Sequence, residues 1–420
     1  MAASHVSTTV PALFSPEFQR DPYPTYRRYL TGPALRPMEG RSNYWLLFGY
    51  EACTTVVRDT RLSSIRPART LVAVADDALA EFDDLVRHMQ RWLLLRDAPR
   101  HAELRKLMNR GFSPAVVEQL TPKVDAIIES LLDAMRGADT VDLIKDFAYP
   151  LPVRVICELL GVPEELHDRC VVLSNEIAVW FGDVYRPADT ARAAQRAIRE
   201  LESYFAAAIR ERRGARKDDL LGLLMDAAEG AGGLSDEDLH AQCVMLLFAG
   251  HETTRNLIGN GIYTLLTHQD ALGELRNDAG LWPAAVEELL RYETPVQGFG
   301  RTVKTDLEIL GTRLAEGSSI AFMIGAAHRD PRQYPNPDQL DLRRRHNRHL
   351  AFGGDAHVCL GATLARLEGR LSMSAVTRRF PNLRLVDQKP DWGSNFAFRG
   401  LNTLRVQHLR CGVHTPRDSE

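Results

Sequence analysis

Paired cysteines are missing from this chain. Its six cysteines, Cys53, Cys157, Cys170, Cys243, Cys359 and Cys411, are scattered through 420 residues without one C-x-x-C spacing. They offer neither a disulfide framework nor a zinc ribbon, so a reducing, cytoplasmic setting is expected. Long apolar runs are missing too. Stretches such as CVMLLFAG fall well short of the roughly 18 residues of a membrane span, so no membrane anchor is expected. The amino-terminal MAASHVSTTVPALFSPEF lacks a basic start followed by an apolar run, which argues against a secretory signal. A basic excess is absent as well. The net charge of −3 argues against bulk nucleic-acid binding and leaves any basic docking surface local. There is no internal repeat and no low-complexity tract.

What remains has the balance of an ordinary globule, 45% hydrophobic and 25% charged. Residues 1–20 read as a loosely held arm. Tyr44–Tyr50 is β-rich and a helical pattern follows it. Asp97 is placed to cap a helix that carries His101, Arg105, Lys106 and Arg110. From Pro114 to Arg213 the spacing predicts several amphipathic helices. The apolar AVWFGDVYRPAD between two of them reads as an irregular lid. Gly230 to Gly233 read as a linker. GRTVKTDLEILGTRLAEGSSIAFMIGAAHRD alternates with glycine turns and predicts a small antiparallel sheet. The tail after Phe380 reads as strands and a hairpin. The fold class is therefore mainly α, with small β-sheets at the two ends (α+β).

Three stretches carry chemistry. In AFGGDAHVCLGATLARLEGR, a glycine-bearing loop runs into Cys359 at the start of a helix. Unpaired N–H groups there bias a thiol toward the thiolate, the metal-binding form. Gly361 has no Cβ and leaves room for a large flat ligand. A buried structural cysteine at a helix cap is the other reading. The longest helical stretch follows Ser235, an N-cap with three acids behind it. About 32 residues at 1.5 Å each make roughly 48 Å, enough to cross a domain. AGHETT interrupts its apolar run, and such violations mark functional sites. HExxH would be a zinc motif, but Arg255 stands where the second histidine belongs, which excludes a zincin. A glycine followed by an acid and a hydroxyl suggests a kink with a proton-handling pair; a kinked core helix is the alternative. Glu288 and Arg291 in EELLR share a helix face, an arrangement that means little alone.

The ordered set of AGHETT, ExxR and FGGDAHVCLG, supported by HAELR and by FRG (Phe398–Gly400), resembles the cytochrome P450 family from about Phe18 to Leu409. It is most similar to the soluble bacterial type that tailors natural products. The resemblance implies one catalytic domain over 21–420 with a long helix above a buried haem b. It makes Cys359 the proximal thiolate ligand of the iron, which favours O–O cleavage. His101, Arg105, Arg301 and His357 match positions that pair with haem propionates through charge-assisted bonds. Phe352 and Gly361 flank the cysteine, and Ala249 and Gly250 open the long helix over the iron. Glu252 and Thr253 match the acid–alcohol pair that supplies protons to dioxygen. Glu288 and Arg291, with Arg344, match an ion network behind the haem. Leu246, Ala249, Thr253 and Leu257 fall on one helical face. The pocket walls are expected at Arg66–Met89, Val179–Tyr185, Leu246, Ala249, Thr253, Val296, Gln297, Phe299, Phe396 and Ala397.

The implied reaction is a haem-thiolate monooxygenation of a hydrophobic small molecule, a macrolide, other polyketide or terpenoid. Dioxygen is the co-substrate. Electrons come from NAD(P)H through an external ferredoxin and ferredoxin reductase, since the chain has no flavin or iron–sulfur signature. Lys106, Arg110, Arg343, Arg345, Arg348 and Arg366 are a candidate docking patch, or an ordinary solvated face. A monomer is expected. A peroxide-driven peroxygenase is the rival enzyme and a non-catalytic haem sensor the rival binder. Two departures stand out. Asp355 takes a usual glycine position, and HAELR replaces HTRLR. Asp tolerates the positive φ a glycine there would serve.

Overall fold

The structure, a computed structural model, describes residue 13 and residues 15–39, 41–72, 76–183, 187–215, 219–229 and 234–408. The predicted linker 230–233, the tip of the expected lid at 184–186, and residues 1–12 of the arm lie outside these.

Ser235 starts the central helix, Asp236–Thr267, and its side chain accepts from the Asp238 N–H at 3.1 Å. Asp236, Glu237 and Asp238 sit in the first turn, where carboxylates meet the positive end of the helix. Leu247, Ile258, Ile262 and Leu265 are buried along its length. Helices Pro150–Leu160, His167–Gly182, Ala188–Arg212, Trp282–Tyr292 and Ala362–Arg379 pack around it. A helix covered on nearly every side has no polar face to lose, so the apolar run is a consequence of its central place.

The sheets sit at the edge of this helical body. A five-stranded sheet runs in the order 35–37, 44–47, 319–323, 298–303, 62–63. Strands 298–303 and 319–323 are antiparallel, as the sequence suggests, but 44–47 joins 319–323 in parallel. The expected local sheet is thus mixed and recruits the amino-terminal strands. Within the same stretch, 307–309 and 312–314 form a separate hairpin. Its two turn residues, Leu310 and Gly311, both have positive φ, 50° and 74°, as a tight primed turn requires. A three-stranded sheet orders 140–142, 405–408 and 383–385.

Three local expectations are corrected. Residues 15–20 are not loose: Ser15 caps a helix over Pro16–Arg20, and Phe18 is buried against Tyr26 and Phe396. Asp97 does not cap the helix Arg100–Met108, whose N-cap is Pro99. Its carboxylate instead accepts from the Ser63 hydroxyl and the Ser64 N–H, tying strand 62–63 to the helix start. The segment Ala178–Gly182 is helical rather than irregular, because the aromatic pair Trp180–Phe181 packs inward and keeps the last turn.

Candidate active site

The loop before Cys359 is built by backbone. Gly353 and Asp355 take positive φ, 73° and 57°, so Asp355 supports the turn that glycine would otherwise make. The Cys359 N–H donates to the Phe352 carbonyl at 2.8 Å, and the helix Ala362–Arg379 starts after Gly361. Cys359 is exposed at the wall of a cavity of about 390 Å³, a size in the range of roughly 300–1,000 Å³ for small-molecule sites. A Cβ on Gly361 would meet only Phe112, at 4.0 Å, so the approach over the backbone is open. The thiolate bias expected from the helix start is corrected. Burial pushes the Cys359 thiol up, and the Gly361 N–H, Arg105 and Arg366 only partly oppose it. A bound cation reverses this, since a coordinating thiol is deprotonated outright.

The same cavity is lined by the central helix at Leu246, Ala249, Gly250, Glu252, Thr253 and Leu257. The space a side chain on Gly250 would take lies toward Ile156, 3.6 Å away, in ordinary contact. Ala249 is the residue exposed at this point of the helix. Thr253 donates its hydroxyl to the Ala249 carbonyl at 3.1 Å. Glu252, only 7% exposed, accepts from Arg255 at 2.9 Å and from Asn256 at 3.2 Å. Arg255, the residue that excluded a zincin, is this carboxylate's partner. It also donates to the Leu401 carbonyl and lies over the Tyr149 ring.

On the far side of the cavity His101 and His357 face each other with ring centroids 3.9 Å apart, and Ser64 is 3.0 Å from His357 Nε2. Arg105 donates to the Val358 carbonyl at 2.6 Å and Arg301 to the Gly300 carbonyl at 2.9 Å. Burial, then the Arg301 charge, pushes His357 down to about 3. Burial and then Arg105 lower His101. Burial and then Arg66 bring Arg301 down to about 10. Among the described residues neither Arg105 nor Arg301 has an ion-pair partner. Desolvated guanidinium groups of this kind are costly unless an anion meets them.

Behind the site, Glu288 and Arg291 are 0% and 1% exposed and make a two-point ion pair at 2.7 and 2.8 Å. Arg344 joins Glu288 at 3.2 Å. The Asp341 N–H and the Asn347 amide complete the Glu288 shell. In the FRG stretch, Arg399 pairs with Glu293 at 2.5 Å. A Cβ on Gly400 would overlap Asn256 Oδ1 at 1.8 Å, so glycine is needed for this close approach to the central helix.

Phe352, Val296, Phe299, Phe396 and Ala397 also line the cavity. Val179, Trp180 and Gln297 do not, and of the expected loop Arg66–Met89 only Arg66 does among the described residues. Val179 is 47% exposed. On a helix it points about 200° away from Phe181, which lines the cavity instead. Gln297 is buried but turns to the opposite side from Val296, accepting from the Tyr26 hydroxyl at 2.8 Å and donating to the Thr294 carbonyl. Of the docking cations, Arg366 is held by Glu287 and Arg343 by Glu274, while Lys106 and Arg110 are exposed. Sequence reading missed Glu287 and Glu368 as part of this region, whereas Arg66 was expected at the start of the wall loop Arg66–Met89 and does line the cavity. Glu368 lines the cavity fully buried, with one oxygen unpartnered and its carboxyl raised well above the usual range by burial. Only its place on the face of the cysteine helix, nine residues after Cys359, hinted at it.

The cytochrome P450 family model matches residues 72–394. The chain belongs to the cytochrome P450 family of monooxygenases. It is 40% identical to the cytochrome P450 monooxygenase PikC of Streptomyces venezuelae, over 94% of this chain and 92% of that one. It is 37% identical to the 6-deoxyerythronolide B hydroxylase of Saccharopolyspora erythraea, over 95% and 99%. Among solved structures, the myxobacterial cytochrome P450 CYP267B1 in complex with myristic acid superposes with a TM-score of 0.86 at 34% identity, covering 95% of this chain and 99% of that one. For this P450 the family implies a haem-thiolate cofactor, a small-molecule substrate and separate redox partners. The residues fit the cofactor. Cys359 faces the cavity as a single sulfur donor, and four cationic or imidazole side chains line the same cavity with no carboxylate ion-pair partner among the described residues. No described cluster of three or more His, Cys, Asp or Glu offers an alternative metal cage. No described helix is long and apolar enough to cross a membrane.

Proposed function

We propose that this P450 inserts one oxygen atom into a hydrophobic natural-product scaffold, a macrolide, another polyketide or a terpenoid, by hydroxylation or epoxidation. The observation that carries this is the alignment in one cavity of Cys359, the Glu252–Thr253 pair and apolar walls at Leu246, Val296, Phe299 and Phe396. PikC and the 6-deoxyerythronolide B hydroxylase, similar over nearly the whole chain, support the substrate class.

Cys359 would hold the iron of haem b, and His101, Arg105, Arg301 and His357 would meet its two carboxylates. When bound, haem supplies dioxygen activation. The chain's own residues set the rest. Apolar side chains exclude water and strengthen every polar contact inside. Thr253 presents a hydroxyl on the cavity side of the helix. Glu252 holds its carboxylate one residue away, paired with Arg255. Released from Arg255, the Glu252 carboxylate would take up a proton from solvent and hand it to the Thr253 oxygen while the Thr253 hydroxyl gives its own proton into the cavity, so Arg255 would control proton supply.

Electrons come from NAD(P)H through an external ferredoxin and its reductase, in the cytoplasm, to a monomeric enzyme. Turnover of a macrolide panel with NAD(P)H, ferredoxin and reductase, compared with hydrogen peroxide alone, tests this. Product with the reductase chain and little with peroxide is expected. Product with peroxide alone makes the chain a peroxygenase. No product from either system leaves a haem-binding sensor.

A further inference from the structure

Arg66 also lines the cavity and differs from Arg105 and Arg301. It follows strand 62–63 and lines the wall near Tyr44, Gly300 and Phe181. Its guanidinium lies over the Phe181 ring, 5.5 Å from the centroid. It reaches the open face of Gly300, where a Cβ would sit 3.4 Å from Nη2. Burial lowers its pKa, and the only opposing influence comes from the weakly acidic Tyr44. Among the described residues no carboxylate pairs with Arg66. Arg301, by contrast, feels both Asp97 and Asp355, and Arg105 is spent on the Val358 carbonyl and Asn109.

The placement matters as much as the missing partner. His101, His357 and Arg105 gather beside the cysteine loop. Arg66 leans instead on the last turn of helix His167–Gly182, among Phe181, Phe248 and Phe398, which pack edge and face against one another. Tyr44 lines the cavity beside it, with Arg41 over the Tyr44 ring. A buried cation over an aromatic ring and near the Arg301 charge is expensive to keep unless something negative arrives with the substrate. Arginine is suited to that task, since its fork binds a carboxylate through two parallel bonds.

We propose that Arg66 is a specificity-determining residue that pairs with an ionised carboxyl group on the substrate. The substrate is then an apolar molecule with one acidic end. Its acid lies at Arg66, between strand 298–303 and helix His167–Gly182, and its apolar body runs along Phe299 and Leu246 toward Cys359. This rests on the monooxygenase reading above and narrows it.

The test uses the haem-loaded enzyme and a panel of C10 to C16 alkanoic acids with their methyl esters, followed by the haem absorbance shift on binding. Wild type should bind its best acid about ten- to a hundredfold tighter than the matching ester, the range of a charge-assisted hydrogen bond. Arg66→Gln should erase the difference with haem content unchanged, and Arg66→Lys should restore part of it. No acid preferred over its ester in the wild type overturns the proposal. So does an Arg66→Gln enzyme that loses haem, which would assign Arg66 to the cofactor's carboxylates. Failure of the family reading is seen separately, as a wild type without the thiolate-type spectrum of the reduced carbon monoxide complex.

Discussion

Arg366 grips Glu287 at 2.6 and 2.9 Å across the gap between the ExxR helix, Trp282–Tyr292, and the cysteine helix, Ala362–Arg379. His349 adds a third contact at 3.1 Å, and the Arg366 guanidinium lies over the Phe352 ring, 4.4 Å from its centroid. One carboxylate thus links the helix behind the haem site to both ends of the cysteine loop. Burial alone would raise Glu287, but the bonds from Arg366 and His349 outweigh it and hold it at about 2. Its contribution is therefore present above the ordinary carboxylate range and lost as pH falls toward 2. Glu287→Gln should cost about 1–2 kcal/mol at pH 7, less than half of that near pH 3 and little near pH 2. Urea unfolding at the three pH values checks this.

The Glu288–Arg291 pair behaves differently because it is wholly buried. Arg291→Ala leaves the Glu288 charge with only Arg344, Asn347 and the Asp341 N–H. A loss of about 3–5 kcal/mol follows from stranding a buried charge, enough to prevent folding of a marginal domain. Arg291→Lys keeps the charge but cannot reproduce the two-point bond and should fall between. Soluble yield and denaturation midpoints measure both.

Cys359→Ser tests the ligand directly. The variant should keep its fold, because the Phe352 carbonyl is bonded by the backbone N–H of residue 359 rather than by its side chain. It should lose the thiolate-type spectrum of the reduced carbon monoxide complex, and product formation with it. Survival of that spectrum would sink the assignment.

Asp355 is exposed, takes φ of 57° and acts on Arg301. Asp355→Gly keeps the turn and removes a negative charge beside the cysteine loop. Haem content should be unchanged and reduction by a ferredoxin faster, most clearly at low salt. An unchanged or slower rate counts against this. Asp355→Ala should cost about 1 kcal/mol more, since alanine resists positive φ.

Acid should weaken the core through histidines kept neutral. Burial pushes His251 down to about 3 and His328 well below its ordinary value. His251 meets the Ser174 hydroxyl at 3.0 Å and His328 accepts from the Leu350 N–H at 2.8 Å. Arg255 and Tyr149 face the first, and Arg291, Arg329 and His349 the second. Below about pH 6.5 the unfolded chain binds protons that the folded chain refuses, so stability falls as pH drops. Each group contributes up to about 1.4 kcal/mol per pH unit well below that point. His251→Gln should flatten the fall by one proton's worth, read from unfolding free energies between pH 7 and 4.

The motifs that lie within one helix or one loop were legible in the chain itself. Ser235 and the acids behind it, the 32-residue central helix, the face shared by Leu246, Ala249, Thr253 and Leu257, and the turn at Asp355 depend on local geometry, and local geometry follows from residue order. The ordered motif set also pointed to Cys359, His101, Arg301 and His357, which line one cavity. What the tertiary structure alone decided concerns direction and partnership. Val179 turns outward and Phe181 inward because the helix continues through Gly182. Gln297 turns to Tyr26, across the molecule from its neighbour Val296. Asp97 is drawn from a cap to Ser63 and Ser64 by a strand far away in sequence. Glu252 is claimed by Arg255, Glu287 by Arg366, and Arg66 by no carboxylate among the described residues. These outcomes depend on which surfaces meet once helices and sheets pack, and packing brings together residues that nothing in their sequence spacing connects.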